Sequence, residues 1–196
     1  LLEPGPRSSR SYIKAMGKWL ADGNAKKQGS LVQECYEHGV PIFCPAFSDC
    51  SAGFGLVKHQ VERMKAKQPY LSIDSVADFR ELTEVKIAAG STGLFMVGGG
   101  VPKNFAQDTV VCAEILGVDR PMHAYAVQIT VADVRDGACS SSTLKEACSW
   151  GKVDVALEQM VFAEATTVAP VMVSSVYHTR DWEKRPRRRW ADLFAD

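Results

Sequence analysis

An apolar run that ends in three consecutive glycines limits this chain more than any other stretch. Leu94-Phe95-Met96-Val97 leads directly into Gly98-Gly99-Gly100-Val101-Pro102-Lys103. The pattern predicts a buried, central strand over 92–97, a glycine turn, and a helix that opens near Pro102, where a missing N–H does no harm. Glycines at that place let a ligand come close to the backbone, and amides at a helix start favour a phosphate. The spacing is not GxGxxG, because Lys103 stands where the third glycine would be.

The rest of the chain repeats this alternation. Apolar residues at helical spacing predict helices over 8–21 and 28–38, with Gly39 just past the second. Val40-Pro41-Ile42-Phe43-Cys44-Pro45-Ala46 reads as a short buried strand. A further helix is expected over 55–67, an extended piece over 70–73, and a helix capped by Asp74 that ends near Gly90. The helix that Pro102 opens is completed over 110–116, and strands follow over 125–131 and 160–163. An apolar helix is expected over 168–177, and 1–7 reads as a linker. Helix and strand in alternation, with polar loops after the strands, predict an α/β domain. The expected sheet is mostly parallel and Rossmann-like with helices on both faces, forming a single domain over 1–196.

Charge and cysteine usage exclude several classes. Lys plus Arg and Asp plus Glu both number 23 among 196 residues, so no global field attracts nucleic acid or an acidic membrane. No apolar run nears the ~20 residues of a membrane span. The basic run Lys184-Arg185-Pro186-Arg187-Arg188-Arg189 reads as a solvated terminus or a partner patch. Six cysteines without CxxC spacing fit reduced thiols in a cytoplasmic protein, and four scattered histidines give no metal motif. The chain starts at Leu1 rather than Met, as a fragment or processed piece would.

Chemistry concentrates in Lys145-Glu146-Ala147-Cys148-Ser149-Trp150-Gly151-Lys152. A lysine after Trp-Gly is either an ordinary surface lysine closing a helix or an amine whose pKa desolvation depresses; a neutral lysine can attack a carbonyl or an imine. Trp150 can exclude solvent or face a cation, and Glu146 supplies a carboxylate. Thr143-Leu144-Lys145-Glu146 is also a capping box, so Glu146 has a structural use as well. Asp49, in a small-residue loop over 48–55, can accept a ribose hydroxyl or an ammonium, or cap the next helix. The polar loop over 133–142 again follows a strand.

Four segments in order resemble the deoxyhypusine synthase family. They are Val40-Pro41-Ile42-Phe43-Cys44-Pro45-Ala46-Phe47-Ser48-Asp49, Gly98-Gly99-Gly100-Val101-Pro102-Lys103, Glu146-Ala147-Cys148-Ser149-Trp150-Gly151-Lys152 and Phe162-Ala163-Glu164-Ala165-Thr166. The resemblance covers nearly the whole chain but only the C-terminal part of a family member. It implies NAD-dependent oxidation of spermidine and passage of a 4-aminobutyl group through a lysine imine to a lysine of a translation factor. Lys152 falls on the imine-forming position. Trp150 and Glu146 fall on substrate-lining positions, as do Phe54, Asn104, Gly137 and Cys139. Asp49, Gly99, Ala132, Glu164 and Ala165 fall on cofactor-lining ones. A homotetramer is implied too.

Departures from the family pattern bear on the substrate. Phe54 and Cys139 stand where the family's synthases have carboxylates, Asn104 where they have histidine, and Glu164 where they usually have Asp. Two lost anions would weaken the hold on a polycation by several kcal/mol if both were desolvated. Besides aminobutyl transfer to a protein lysine, two readings stay open. One is a homospermidine synthase-like enzyme with a small-amine acceptor, the other a non-catalytic regulatory paralogue, which would have no need of Lys152 and Trp150.

Overall fold

The computed structural model describes residues 2–139, 143–154 and 157–195. Positions 140–142 of the polar loop expected over 133–142 lie outside the described residues. The chain is α/β, and its backbone forms two compact units, Leu1–Glu81 with Arg188–Asp196 and Leu82–Arg187.

In the first unit, strand β1 (Gly5–Arg7) pairs in parallel with β2 (Leu71–Ile73), so part of the expected linker is a strand. Helices α1 (Ser9–Trp19), α2 (Leu31–His38) and α3 (Ser51–Lys65) lie between them in sequence. The Ser8 hydroxyl caps α1 by accepting from Ser11 N–H. The buried carboxylate of Asp78, at the first turn of α4 (Ser75–Ala89), accepts from Ser9 and Arg10 N–H at 3.0 and 3.2 Å. An anion is thus set against the positive end of α1. Two N–H groups of α4 are taken by Asp74 Oδ1, the expected cap.

One sequence expectation fails in this unit. Residues 40–46 join no strand, because Pro41 and Pro45 lack ladder donors; Cys44 N–H goes instead to Ser9 Oγ at 2.8 Å. The basic run 184–189 is exposed throughout, as a solvated terminus would be, and its last residue also makes local contacts. Arg189 donates to the Glu37 carbonyl at 2.9 Å and to Asp192 at 3.0 Å, and Ala191 N–H donates to the Gly39 carbonyl at 2.9 Å.

The second unit is built on a parallel sheet in the order β3 (Gly93–Val97), β4 (Tyr125–Thr130), β5 (Glu158–Phe162). Between strands come α5 (Val101–Gln107), α6 (Thr109–Ile115) and α7 (Leu144–Ser149), and α8 (Ala165–Thr179) follows β5. The helix expected to run from Pro102 through 116 is therefore two short helices joined at Asp108. The run over 92–97 is not central among the described strands: β4 holds that place, while Phe95 and Val97 on β3 stay 53% and 57% exposed. One face of the sheet packs on α7 through Met96, Ala126, Leu144, Ala147 and Val153, with Leu94 and Met160 against them. On the other face Phe95 meets Met172, Val173, Val176, Tyr177 and Trp182 in an open apolar groove. No described helix is long and apolar enough to cross a membrane.

Candidate active site

The end of α7 places Lys152. Thr143 and Glu146 form the capping box in full, with Glu146 N–H donating to Thr143 Oγ1 at 3.1 Å and Thr143 N–H to Glu146 Oε2 at 2.7 Å. The carboxylate expected to hold substrate is therefore also a cap. At the other end Gly151 takes φ +71°, its N–H donates to the Cys148 carbonyl, and Lys152 N–H donates to the Ala147 carbonyl, both at 3.0 Å. This is a Schellman closure, and it needs a residue tolerant of left-handed φ between Trp150 and Lys152. Val153 then buries itself in the core, so the lysine is pinned between a fixed helix end and a fixed apolar anchor.

Lys152 Nζ lies 2.5 Å from Asp108 Oδ1, with side-chain exposures of 20% and 39%. The Trp150 ring centroid is 5.9 Å from the same nitrogen, within cation–π reach, and Trp150 itself is 73% exposed. Asp108 sits at the N-cap position of α6 but makes no capping hydrogen bond with its side chain. Its carboxylate goes to Lys152 instead. Sequence reading missed this residue, because position 108 falls inside the single helix expected from Pro102 through 116.

A second lysine was also missed. Lys103, on the first turn of α5, is buried and donates to the Cys139 carbonyl at 2.9 Å. Burial lowers its pKa from the usual lysine value; the Lys152 charge adds to that, and Cys139 and Glu146 oppose it. The desolvated ammonium expected of the site is thus found at Lys103. The sequence signal was its place directly after the glycine turn. Cys139 is fully buried, its thiol directed at the Ala132 carbonyl at 3.8 Å, and Gly137 lies exposed in the same short helical turn. Asn104 follows Lys103 on α5 and is half-buried.

Behind Lys152 runs a buried polar chain. Lys86 Nζ donates to Thr92 Oγ1 and to the Pro121 carbonyl, each at 2.7 Å. Thr92 Oγ1 lies 2.8 Å from His123 Nδ1, and His123 Nε2 lies 3.2 Å from the Ala106 carbonyl. With Lys86 supplying a proton to the Thr92 oxygen, the hydroxyl donates to Nδ1 and Nε2–H donates to Ala106. Burial and the Lys86 charge lower the His123 pKa to about 4, so the ring is neutral at pH 7. His123 N–H holds the Lys152 carbonyl at 3.0 Å, and the His123 carbonyl accepts from Asp154 N–H at 2.9 Å.

The cofactor candidates in this unit share one edge. Gly99, Ala132, Glu164 and Ala165 all follow the carboxyl ends of β3, β4 and β5, neighbours in a parallel sheet, where ligands of such sheets bind. Gly98 and Gly100 both take φ +81°, and space is open beside them where side chains would stand. Buried Gln128 donates to the Gly98 carbonyl at 2.8 Å, while its Oε1 has no partner among the described residues. Glu164 caps α8, its Oε2 accepting from the Thr166 N–H and hydroxyl. Asp49 and Phe54 belong to the first unit: Asp49 is exposed in a short helical turn, Phe54 is 64% exposed on α3, and the cap of α3 is Cys50. The six cysteines are free thiols, and no cluster of metal-binding side chains occurs among the described residues.

The deoxyhypusine synthase family model matches residues 2–176, which include every one of these positions. The chain belongs to the deoxyhypusine synthase family. It is 74% identical over 194 residues to a deoxyhypusine synthase-like protein of Caulobacter vibrioides, covering 99% of this chain and 53% of that protein. A deoxyhypusine synthase-like protein of Coxiella burnetii is 66% identical over 193 residues, 98% of this chain and 54% of the relative. A probable deoxyhypusine synthase 2 of Methanosarcina mazei is 41% identical over 189 residues, 96% and 52% respectively. The chain thus spans about half the length of these deoxyhypusine synthase relatives.

Proposed function

We propose that the protein transfers a 4-aminobutyl group from a spermidine-like polyamine to an amine acceptor, with NAD as cofactor and Lys152 as the covalent carrier. The observation that carries this reading is the setting of Lys152. A helix closure fixes its backbone, and its amine lies beside a carboxylate and an aromatic ring. The motif in which it stands belongs to the family.

NAD would lie along the strand ends, with Gly99, Ala132 and Ala165 allowing close approach and Glu164 offering a carboxylate to a ribose hydroxyl; Asp49, in the first unit, is a cofactor-lining position by the family resemblance alone. When bound it supplies the acceptor for the hydride removed from the donor amine. The chain's own groups do the remaining work. Trp150 packs the aliphatic part of the donor, Glu146 holds an ammonium, and Lys152 attacks the resulting imine to take the 4-carbon unit. By the family resemblance, Phe54 and Cys139 each stand where a carboxylate would be, which favours a donor with fewer charges or charges differently placed. The family resemblance supports a homotetramer and a translation-factor lysine or a small amine as acceptor.

Incubating the full-length protein with NAD and a panel of polyamines, followed by borohydride and mass spectrometry, tests the reading. A 4-aminobutyl adduct on Lys152 is the expected product. Its absence for every donor, or its survival on Lys152→Ala, removes Lys152 from this role. In a folded Gly99→Val variant, NAD affinity should fall at least about tenfold, since a branched side chain stands where backbone and ligand must meet.

A further inference from the structure

Lys152 meets the requirement for an amine nucleophile only in part. Its amine is engaged by the Asp108 carboxylate and lies within cation–π reach of the Trp150 ring, and an ammonium held there has no lone pair to offer. Something must take its proton when substrate arrives. Asp108 Oδ1 at 2.5 Å is within direct proton-transfer distance, while Glu146 is occupied in its capping box. Asp108 stands at the α5–α6 junction with helical backbone and makes no capping bond, so its carboxylate is left to engage Lys152.

We propose that Asp108 is the catalytic base that turns Lys152 into a nucleophile. The inference rests on the reading of Lys152 as the imine-forming residue. A cationic substrate entering beside Lys152 disfavours a second cation there and displaces water. One N–H bond of the Lys152 ammonium breaks, and an O–H bond forms on Asp108, leaving a neutral amine and a neutral carboxylic acid. The amine's lone pair adds to the carbon of the donor-derived iminium. One of the two hydrogens left on Lys152 then moves to the departing nitrogen. That nitrogen leaves as a neutral amine, and Lys152 ends as the protonated imine. Charge is conserved, since the single positive charge of the iminium ends on the Lys152 imine.

Two roles for Asp108 predict opposite signs. If the carboxylate only holds the ammonium, Asp108→Asn removes an anion that favours the charged form, and Lys152 becomes more reactive at neutral pH. If Asp108 takes the proton, the same change makes Lys152 slower. The full-length protein is treated with a small aliphatic aldehyde and cyanoborohydride, and capture at Lys152 is measured by peptide mass spectrometry against exposed Lys145 in the same digest. Neither NAD nor polyamine is needed. The expected result is capture at least about tenfold slower in Asp108→Asn, with partial recovery in Asp108→Glu. Wild type should show a nearly flat profile through neutral pH, because the proton moves within the pair. The Asn variant should rise about tenfold per pH unit, as a lone lysine does.

Equal or faster capture in Asp108→Asn overturns the proposal, and so does a wild type whose Lys152 reacts no better than Lys145. The wider reading fails separately. A slowed Asn variant together with no polyamine-derived adduct in the presence of NAD would keep Asp108 as the base and remove aminobutyl transfer.

Discussion

The first turn of α5 and the segment that follows α7 each present a lysine to the same site, and the protein treats them oppositely. Lys103 is buried, carries a lowered pKa and is tied to a backbone carbonyl. Lys152 is partly exposed and paired with a carboxylate. Desolvation alone would nominate Lys103 as the nucleophile. Geometry nominates Lys152, because its amine ends a side chain that can swing from Asp108 toward a ligand, while Lys103 is spent in holding the turn at Cys139. Burial perturbs a lysine; access and a nearby proton acceptor make it useful.

The largest expected effect separates the two. Lys152→Arg keeps a cation beside Asp108 yet cannot form an imine, so borohydride capture of the donor fragment should disappear entirely. Lys103→Met, of similar length and uncharged, should leave the Lys152 adduct detectable while shifting stability by about 1–3 kcal/mol in urea unfolding, because the Cys139 carbonyl loses its donor. Adduct lost in Lys103→Met and kept in Lys152→Arg would reverse the comparison.

Next in size is a pH effect from the polar chain behind Lys152. The pKa of His123 is about 4 when folded and near 6.5 when unfolded, so the unfolded chain takes up the proton first. Stability from this group is complete above about pH 6.5 and is lost as pH falls toward 4, by on the order of 3 kcal/mol in all. Urea titrations at several pH values should show that decline, and His123→Gln should flatten it. A decline of the same size in the variant would assign it to other groups.

The smallest expected effect sharpens the placement of Lys152. Gly151→Ala forces a Cβ into left-handed backbone, costing about 1 kcal/mol of stability. Capture at Lys152 should fall further than that loss alone explains, because the Schellman closure aims the side chain. A variant with lower stability and unchanged capture would show that the lysine finds its place without the closure.

Most of the frame was legible in the sequence. Apolar runs marked β3, β4 and β5, the first of them ended by glycines, and the Asp74 cap and the Thr143–Glu146 box are found where their spacing put them. The errors have physical causes. Pro41 and Pro45 remove the donors that an apolar run needs to become a strand. Gly5-Pro6-Arg7 looks like punctuation, yet Gly5 and Arg7 pair with Leu71 and Ile73. Asp108 was hidden because it fell inside an expected continuous helix, and only the fold reveals what its carboxylate meets. Long-range pairs such as Asp108 with Lys152 leave no periodic trace.

Helix α8 gives the second unit an uneven resistance to opening. It has no fully buried residue along its 15 positions, it carries Pro170 inside, and its exposed Val173, Val176 and Tyr177 line the groove with Phe95. Strand β4, by contrast, hides Ala126, Gln128, Ile129 and Thr130. In hydrogen exchange the α8 amides should trade with solvent by local opening long before those of β4, which wait for global unfolding. Slowing of exchange in α8 alone would then report any surface that comes to rest on it, amide by amide.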